Sequence, residues 1–283
     1  MAMRKADFAG SWYPGRDSEC RKAIESFIEN ARPCPTPANQ PVGGIVPHAG
    51  WVFSGGTACN VFLCLKEASP DTVVLFGRHL HPGSGSFIMT GGSWETPLGT
   101  LEIDSDLAGA ITSEFSFEVE TASRHAQDNT IELQLPFVKY FFPKARILPV
   151  GAPPAAGSLR IGERIAELAR SRGRSILVVG STDLTHYGFN YGFAPHGHGK
   201  EALDWVRNEN DRRVIEKMLK MDAEGVLSEG LQNQNACCSG AAGAAVSAAR
   251  KLGAESGHEL VYATSYDVRP DTSFVGYVGI LFE

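Results

Sequence analysis

Six apolar runs, mostly rich in β-branched residues, punctuate the chain: GGIV (43–46), TVVLF (72–76), RILPV (146–150), SILVVG (175–180), ELVYAT (259–264) and SFVGYVGILF (273–282). Runs of this length with little polar alternation predict strands buried on both faces. Between them, apolar residues recur at helical spacing over 17–31, 55–68, 105–115, 130–141, 158–172, 203–220 and 240–252. Strand and helix alternate, which predicts an α/β fold: a mostly parallel or mixed central sheet flanked by helices on both faces. The LEID run before Ser105 and the stretch around Phe87 are expected to add an antiparallel pair at an edge. The proline-rich pieces ARPCPTPANQP (31–41) and GAPPAAG (151–157) are short and each joins a helix to a strand, so residues 1–283 read as one domain.

Composition narrows the function classes. The net charge of -6 is modest, and the basic residues form no run that could track phosphates, so nucleic acid is not the expected partner. The first twenty residues carry charge and glycine where a signal peptide needs an unbroken apolar segment. GAAGAAVSAA, from Gly240, is about half the length of a membrane span. A cytoplasmic protein without a membrane segment is therefore expected. The six cysteines lack zinc-finger spacing, most are expected as free thiols, and Cys59 and Cys64 read as small buried residues.

In an open parallel sheet, ligands bind beyond the carboxyl ends of the strands, so the residues leaving each strand matter. After GGIV comes PHAG with His48, held between Pro47 and Gly50; after TVVLFG comes RHLHPG with His79 and His81; after SILVVG comes STDLTHYG with Asp183 and His186. Four of the eight histidines fall in these three loops. One such histidine reads as a turn residue, but three strands delivering imidazoles to one rim predict a metal or acid/base site. Two imidazoles would need an anionic partner, for which Asp183 and Cys238 are the candidates. Cys238 precedes a Gly/Ala-rich helix whose dipole would lower its pKa, although from composition alone Cys237 and Cys238 read as plain buried thiols.

Asp183 and His186 stand three apart, so a helical turn would put them on one face, with the carboxylate orienting the imidazole. Asp183 could also cap that turn together with Ser181 and Thr182. Arg78 would suit an anionic substrate group. His125 and Asn129 precede or open the helix at 130–141 and are expected to face the same rim, with Asn129, Thr130 and Glu132 alternatively a cap. His196 and His198, in PHGHG, read as a solvent-exposed loop.

With these residues collected, the chain resembles the Memo family, whose bacterial members are called AmmeMemoRadiSam system protein B. The likeness runs through RKADFAGSWYP, PHAGWVFSGGTA, ETPLGTLEID, IELQLPFV, STDLTHYG and YATSYDVRPDTSFVGYVGI. The resemblance implies a fold like that of the class III extradiol dioxygenases and a strand-end pocket in which His48, His81 and Cys238 hold a single metal ion. Iron(II) is the first expectation, with copper or zinc as alternatives, and Asp183 and His186 stand beside it as catalytic groups. RHLHP replaces the family's Gly-Pro-x-His segment, so a shift would make His79 the ligand in place of His81. Asp128, Asn129 and Thr130 replace Glu-His-Ser, and CSGAAGA replaces Cys-Gly-x-x-Pro-Ile. The expected function is a metal-dependent oxidoreductase acting on a small molecule. Alternatives are a zinc-type hydrolase and a non-catalytic pocket for an anionic or aromatic ligand or a partner peptide. A protein partner or self-association is compatible with each.

Overall fold

The computed structural model describes residues 2–36 and 39–283, so residues 37 and 38 of the proline-rich stretch lie outside the described residues. The strands are β1 (Met3–Arg4), β2 (Gly43–Val46), β3 (Thr72–Gly77), β4 (Phe87–Met89), β5 (Ser93–Thr96), β6 (Gly99–Glu102), β7 (Glu118–Glu120), β8 (Arg146–Gly151), β9 (Ile176–Ser181), β10 (His186–Tyr187), β11 (Gly257–Thr264) and β12 (Phe274–Phe282). The helices are α1 (Asp17–Glu29), α2 (Trp51–Cys64), α3 (Ser105–Thr112), α4 (Asn129–Glu132), α5 (Leu135–Phe141), α6 (Ala156–Ser171), α7 (Lys200–Trp205), α8 (Asp211–Leu219), α9 (Ala223–Asn233), α10 (Ser239–Leu252) and α11 (Ser265–Val268).

The main sheet has the order β10-β12-β2-β9-β3-β8-β4-β7, with β11 on the other side of β12. β2, β9, β3 and β8 are parallel, while β12 joins β2 antiparallel and β4 joins β8 antiparallel. Alternate residues of these strands fill two cores. Val74, Phe76, Val150 and Val178 face α6 and α10, while Val73, Leu75, Leu177 and Val179 belong to the core shared with α2 and α5. That is the two-sided burial their unbroken apolar runs imply. The expected edge pair does not form: β4 pairs with β8 and β7, whereas Leu101 and Glu102 belong to β6, which joins β5 and β1 in a separate three-stranded sheet.

The register aligns three strand ends. Val46 pairs with Ser181 across β2 and β9, and Phe76 pairs with Gly180 across β3 and β9, so Val46, Ser181 and Gly77 reach one level. Loops leaving there diverge around a topological switch point, because β9 is inserted between β2 and β3. On one face, α10 lies close over this region because its residues are small. A Cβ on Gly180 would stand 2.8 Å from the Cβ of Ala245, and one on Gly162 of α6 would stand 2.3 Å from the Ala244 carbonyl oxygen. This approach sets the N-terminus of α10 above the ends of β9 and β3.

Element boundaries moved where hydrogen bonds to distant segments intervened. The helix expected from 55 begins at Trp51, whose amide donates to the Trp12 carbonyl at 2.9 Å. The helix expected over 130–141 is divided into α4 and α5, with Gln134 at the break donating to the Pro47 carbonyl at 2.9 Å. α9 was not legible as a separate helix. Cys34 and Cys64, expected as thiols, form a disulfide with their Cα atoms 5.4 Å apart. The side chain of Asn60 brings the two segments together, accepting from the Arg32 amide at 2.8 Å and donating to the Arg32 carbonyl at 3.1 Å. Among the described residues no helix is long and apolar enough to cross a membrane.

Candidate metal centre

His48 leaves β2 through Pro47 and is buried, with 1% of its surface exposed. Its amide donates to Asp183 Oδ1 at 2.7 Å, and Asn129 Nδ2 donates to its carbonyl at 3.1 Å. The ring is oriented by the Ser181 hydroxyl. Ser181 Oγ donates its only proton to the Thr130 carbonyl at 2.7 Å, so it accepts from His48 Nδ1–H at 3.0 Å. That leaves the Nε2 lone pair of neutral His48 aimed into the cluster, the orientation that second-sphere partners give to metal-bound imidazoles.

Nε2 lies 3.3 Å from Cys237 Sγ, Cys237 Sγ lies 3.8 Å from Cys238 Sγ, and Cys238 Sγ lies 3.4 Å from His79 Nδ1. One ligand atom from each of His48, His79, Cys237 and Cys238 falls within 4.8 Å of every other. Two sulfurs sharing a tetrahedral ion at about 2.3 Å each stand about 3.8 Å apart, so the sulfur spacing fits one ion. The loop holding both thiols is tied to the β9 exit: the Cys237 amide donates to the Asp183 carbonyl at 3.1 Å and the Cys238 amide to Thr182 Oγ1 at 3.1 Å.

Charge in the cluster is coupled. Burial opposes ionisation of His48, but Asp183 and then Cys237 outweigh it and push the imidazole up to about 9. Burial also works against a Cys237 thiolate, yet hydrogen bonding from Cys238 and the charge of His48 carry this thiol well below its ordinary value. Burial and the neighbouring Cys237 push the Cys238 thiol up. The acidic thiol is therefore Cys237, and not Cys238 as the helix-dipole argument suggested, because Cys237 has both the Cys238 thiol and the charge of His48 beside it. Asp183 is pushed up by burial and held back by His48. An imidazolium sharing a proton with a thiolate is the arrangement in which a metal cation can take the proton's place.

The other expected site residues fall in three groups. His186 lines the same cavity as His48, His79, Asn129 and Asp183, and its Nδ1 is 3.2 Å from the Leu184 carbonyl, which leaves Nε2 as the basic nitrogen. Asp183 does not orient it: residues 182–185 are not helical, and the carboxylate is spent on the amide of His48, with its other oxygen 3.9 Å from His48 Nε2. His81 is not brought into the cluster. Arg78 takes a left-handed conformation (φ 77), His79 then turns toward the thiols, and His81 lies beyond it, exposed, with its amide on Ser84 Oγ.

Arg78 and His125 are drawn elsewhere. The Arg78 guanidinium bonds to Glu120 at 2.5 Å over the face of Phe87, and His125 pairs with Asp7 at 3.4 Å, so neither is free at the rim. Sequence reasoning underrated Cys237, Ser181 and Arg269. The adjacent cysteines were the signal for the first, and β9 ending in serine rather than an apolar residue was the signal for the second. Arg269 lies on the wall of the cavity, in RPD, which was visible only as part of a longer resemblance.

That cavity measures about 1080 Å³ and presents Trp12, Tyr13, Trp51 and Phe53 around the polar groups. Comparison with known proteins matches residues 4–281 to the family model described as Memo-like protein. A MEMO1 family protein of Methanopyrus kandleri is 35% identical over 298 residues, covering 99% of this chain and 98% of its own length. One from Thermococcus onnurineus is 35% identical over 290 residues, with 99% of each covered. The crystal structure of an uncharacterized protein from Escherichia coli K12 superposes with a TM-score of 0.52 at 11% identity, covering 78% of this chain and 91% of that one, a likeness of fold.

Proposed function

The chain belongs to the Memo family, and from that premise and the geometry of its cluster we propose that it is a mononuclear metal protein acting as an oxidoreductase on a small molecule. His48 Nε2, His79 Nδ1, Cys238 Sγ and Cys237 Sγ would hold the ion. The observation that carries this reading is the convergence of four ligand atoms within 4.8 Å beside a cavity of about 1080 Å³. The donor set suits iron(II), copper or zinc, with the thiolates favouring the softer ions. A redox-active ion there supplies electron transfer, and zinc would instead supply a polarising charge for hydrolysis.

The chain's own residues divide the remaining work. Ser181 and Asp183 hold His48 in one orientation. His186, with Nε2 available and its ring edge against Tyr191 (centroids 4.9 Å apart), accepts or returns a proton at the substrate. Asn129 holds the His48 carbonyl and contributes no ligand in this reading.

A second reading, a pocket that binds an anionic aromatic ligand without chemistry, is favoured by the aromatic wall and by Arg269 on the same cavity. Metal content separates the two. Protein purified without added metal is expected to carry one ion per chain, and His48→Ala or Cys238→Ala to lose it while remaining folded. A parent chain free of metal at full stability would overturn the enzyme reading in favour of the binder.

A further inference from the structure

Two cavities meet at the cluster, and they touch different ligands. The larger is walled by His48, while a smaller one, of about 500 Å³, is walled by Cys237. His79, His186 and Tyr191 line both and form the partition between them. The smaller cavity has exposed residues at His79, His81, Pro82 and Leu231, and Leu80, Pro154 and Ala236 add apolar surface to its wall.

We propose that the smaller cavity is the entrance through which a soft or borderline metal cation reaches Cys237, with His81 as the exposed ligand that first captures it. The proposal rests on the metal reading above. A hydrated cation sheds its waters in exchange for protein ligands one at a time, and this route offers them in sequence. His81 and His79 both stand at the surface, His81 outside the cluster and His79 in it, and Cys237 lies at the inner wall. The larger cavity offers no sulfur along its wall and reaches the cluster at its imidazoles, among oxygen donors such as Asp183 and Asp271 that suit a soft cation less well. Separate routes let metal load without passing through the space a substrate would fill. They also give His81 a role that its distance from the cluster otherwise denies it.

Two measurements test this on the metal-free full chain. The first is alkylation of Cys237 by iodoacetamide, located by peptide mass spectrometry. Leu231→Trp, at an exposed position on the wall of the smaller cavity, is expected to slow labelling several-fold, and Val52→Trp, on the rim of the larger one, to leave it unchanged. Labelling that ignores Leu231→Trp or falls with Val52→Trp overturns the entrance. The second is the rate of zinc(II) uptake. His81→Ala is expected to load several-fold more slowly to the same final stoichiometry, and loading at the parent rate overturns the capture role. A parent chain that takes up no zinc overturns the metal centre and the passage of metal together, while the labelling result still decides from which side Cys237 is reached.

Discussion

Two groups of polar side chains flank the end of β3, and consecutive residues of one loop, Arg78 and His79, each join one of them. Arg78 turns toward β4 and β7, where it and Arg4 share Glu120, with the Arg4 guanidinium 3.6 Å from the Trp94 ring centre. His79 turns the other way, toward β9 and the thiols. In the first group, cations face an anion and aromatic faces, Arg4 Nη2 also donates to the Ala126 carbonyl at 3.0 Å, and the cavity these side chains line is only about 10 Å³. In the second, two imidazoles and two thiols crowd together and border open space. Charge content does not separate the groups. The space they border does, about 1080 Å³ against about 10 Å³, and that is what marks the second as a site and the first as a clamp between the N-terminal strand and β7.

The largest expected effect breaks the clamp. Glu120→Ala leaves Arg4, 1% exposed, without the carboxylate that pairs with it, and should cost about 3 to 5 kcal/mol in urea unfolding. Metal content of the folded fraction should stay at the parent level, and a loss of metal would show that the two groups are not independent. A third buried polar group lies behind the rim: Asp211 accepts from the Thr185 amide at 3.1 Å and from the Tyr262 hydroxyl at 2.8 Å. Burial pushes its carboxyl up to about 6. Its folded pKa lies above the unfolded value of about 4, so its contribution is complete below about pH 4 and is lost as pH rises through about 6, on the order of 3 kcal/mol in all. Unfolding free energies measured across that window should carry this falling component, and Asp211→Asn should remove it. An unchanged profile in the variant would point to another group.

A smaller effect sharpens the second group. Asp183→Asn keeps an acceptor for the His48 amide but removes the charge facing the imidazole, and metal affinity is expected to fall about 10- to 100-fold by chelator competition, with stoichiometry at saturation unchanged. Affinity equal to the parent's would make Asp183 a backbone anchor only. The smallest effect concerns Asn129, which donates to the His48 carbonyl from outside the ligand set. Asn129→His should leave metal stoichiometry unchanged, and a gain of metal would mean that this chain lacks a ligand its fold can still accept.

The apolar runs and their spacing were enough to predict the α/β architecture, since a run buried on both faces leaves few alternatives to a central sheet. They also placed His48, His79, Asp183 and His186 on the exits of three strands, because strand order does not alter which end of a parallel strand a loop leaves from. The choice between His79 and His81 was not legible, because it depends on the left-handed turn at Arg78, and that turn is held by the Thr130 hydroxyl accepting from the Arg78 amide at 2.6 Å. The service of Asp183 to His48 instead of its near neighbour His186 likewise arises because β2 lies beside β9.

What the sequence by itself determined is the inventory: the core strands, which polar residues sit at their ends, and that two thiols precede a helix of small residues. Only the tertiary structure decided which of those residues meet. Hydrogen bonds between segments 51 and 135 residues apart, from Ser181 to Thr130 and from the His48 amide to Asp183, set rotamers and tautomers that local spacing cannot encode. Cys237 joins the cluster for the same reason. Its partner His48 is 189 residues away in sequence, and they meet because the small side chains of α10 let the helix settle close over β9.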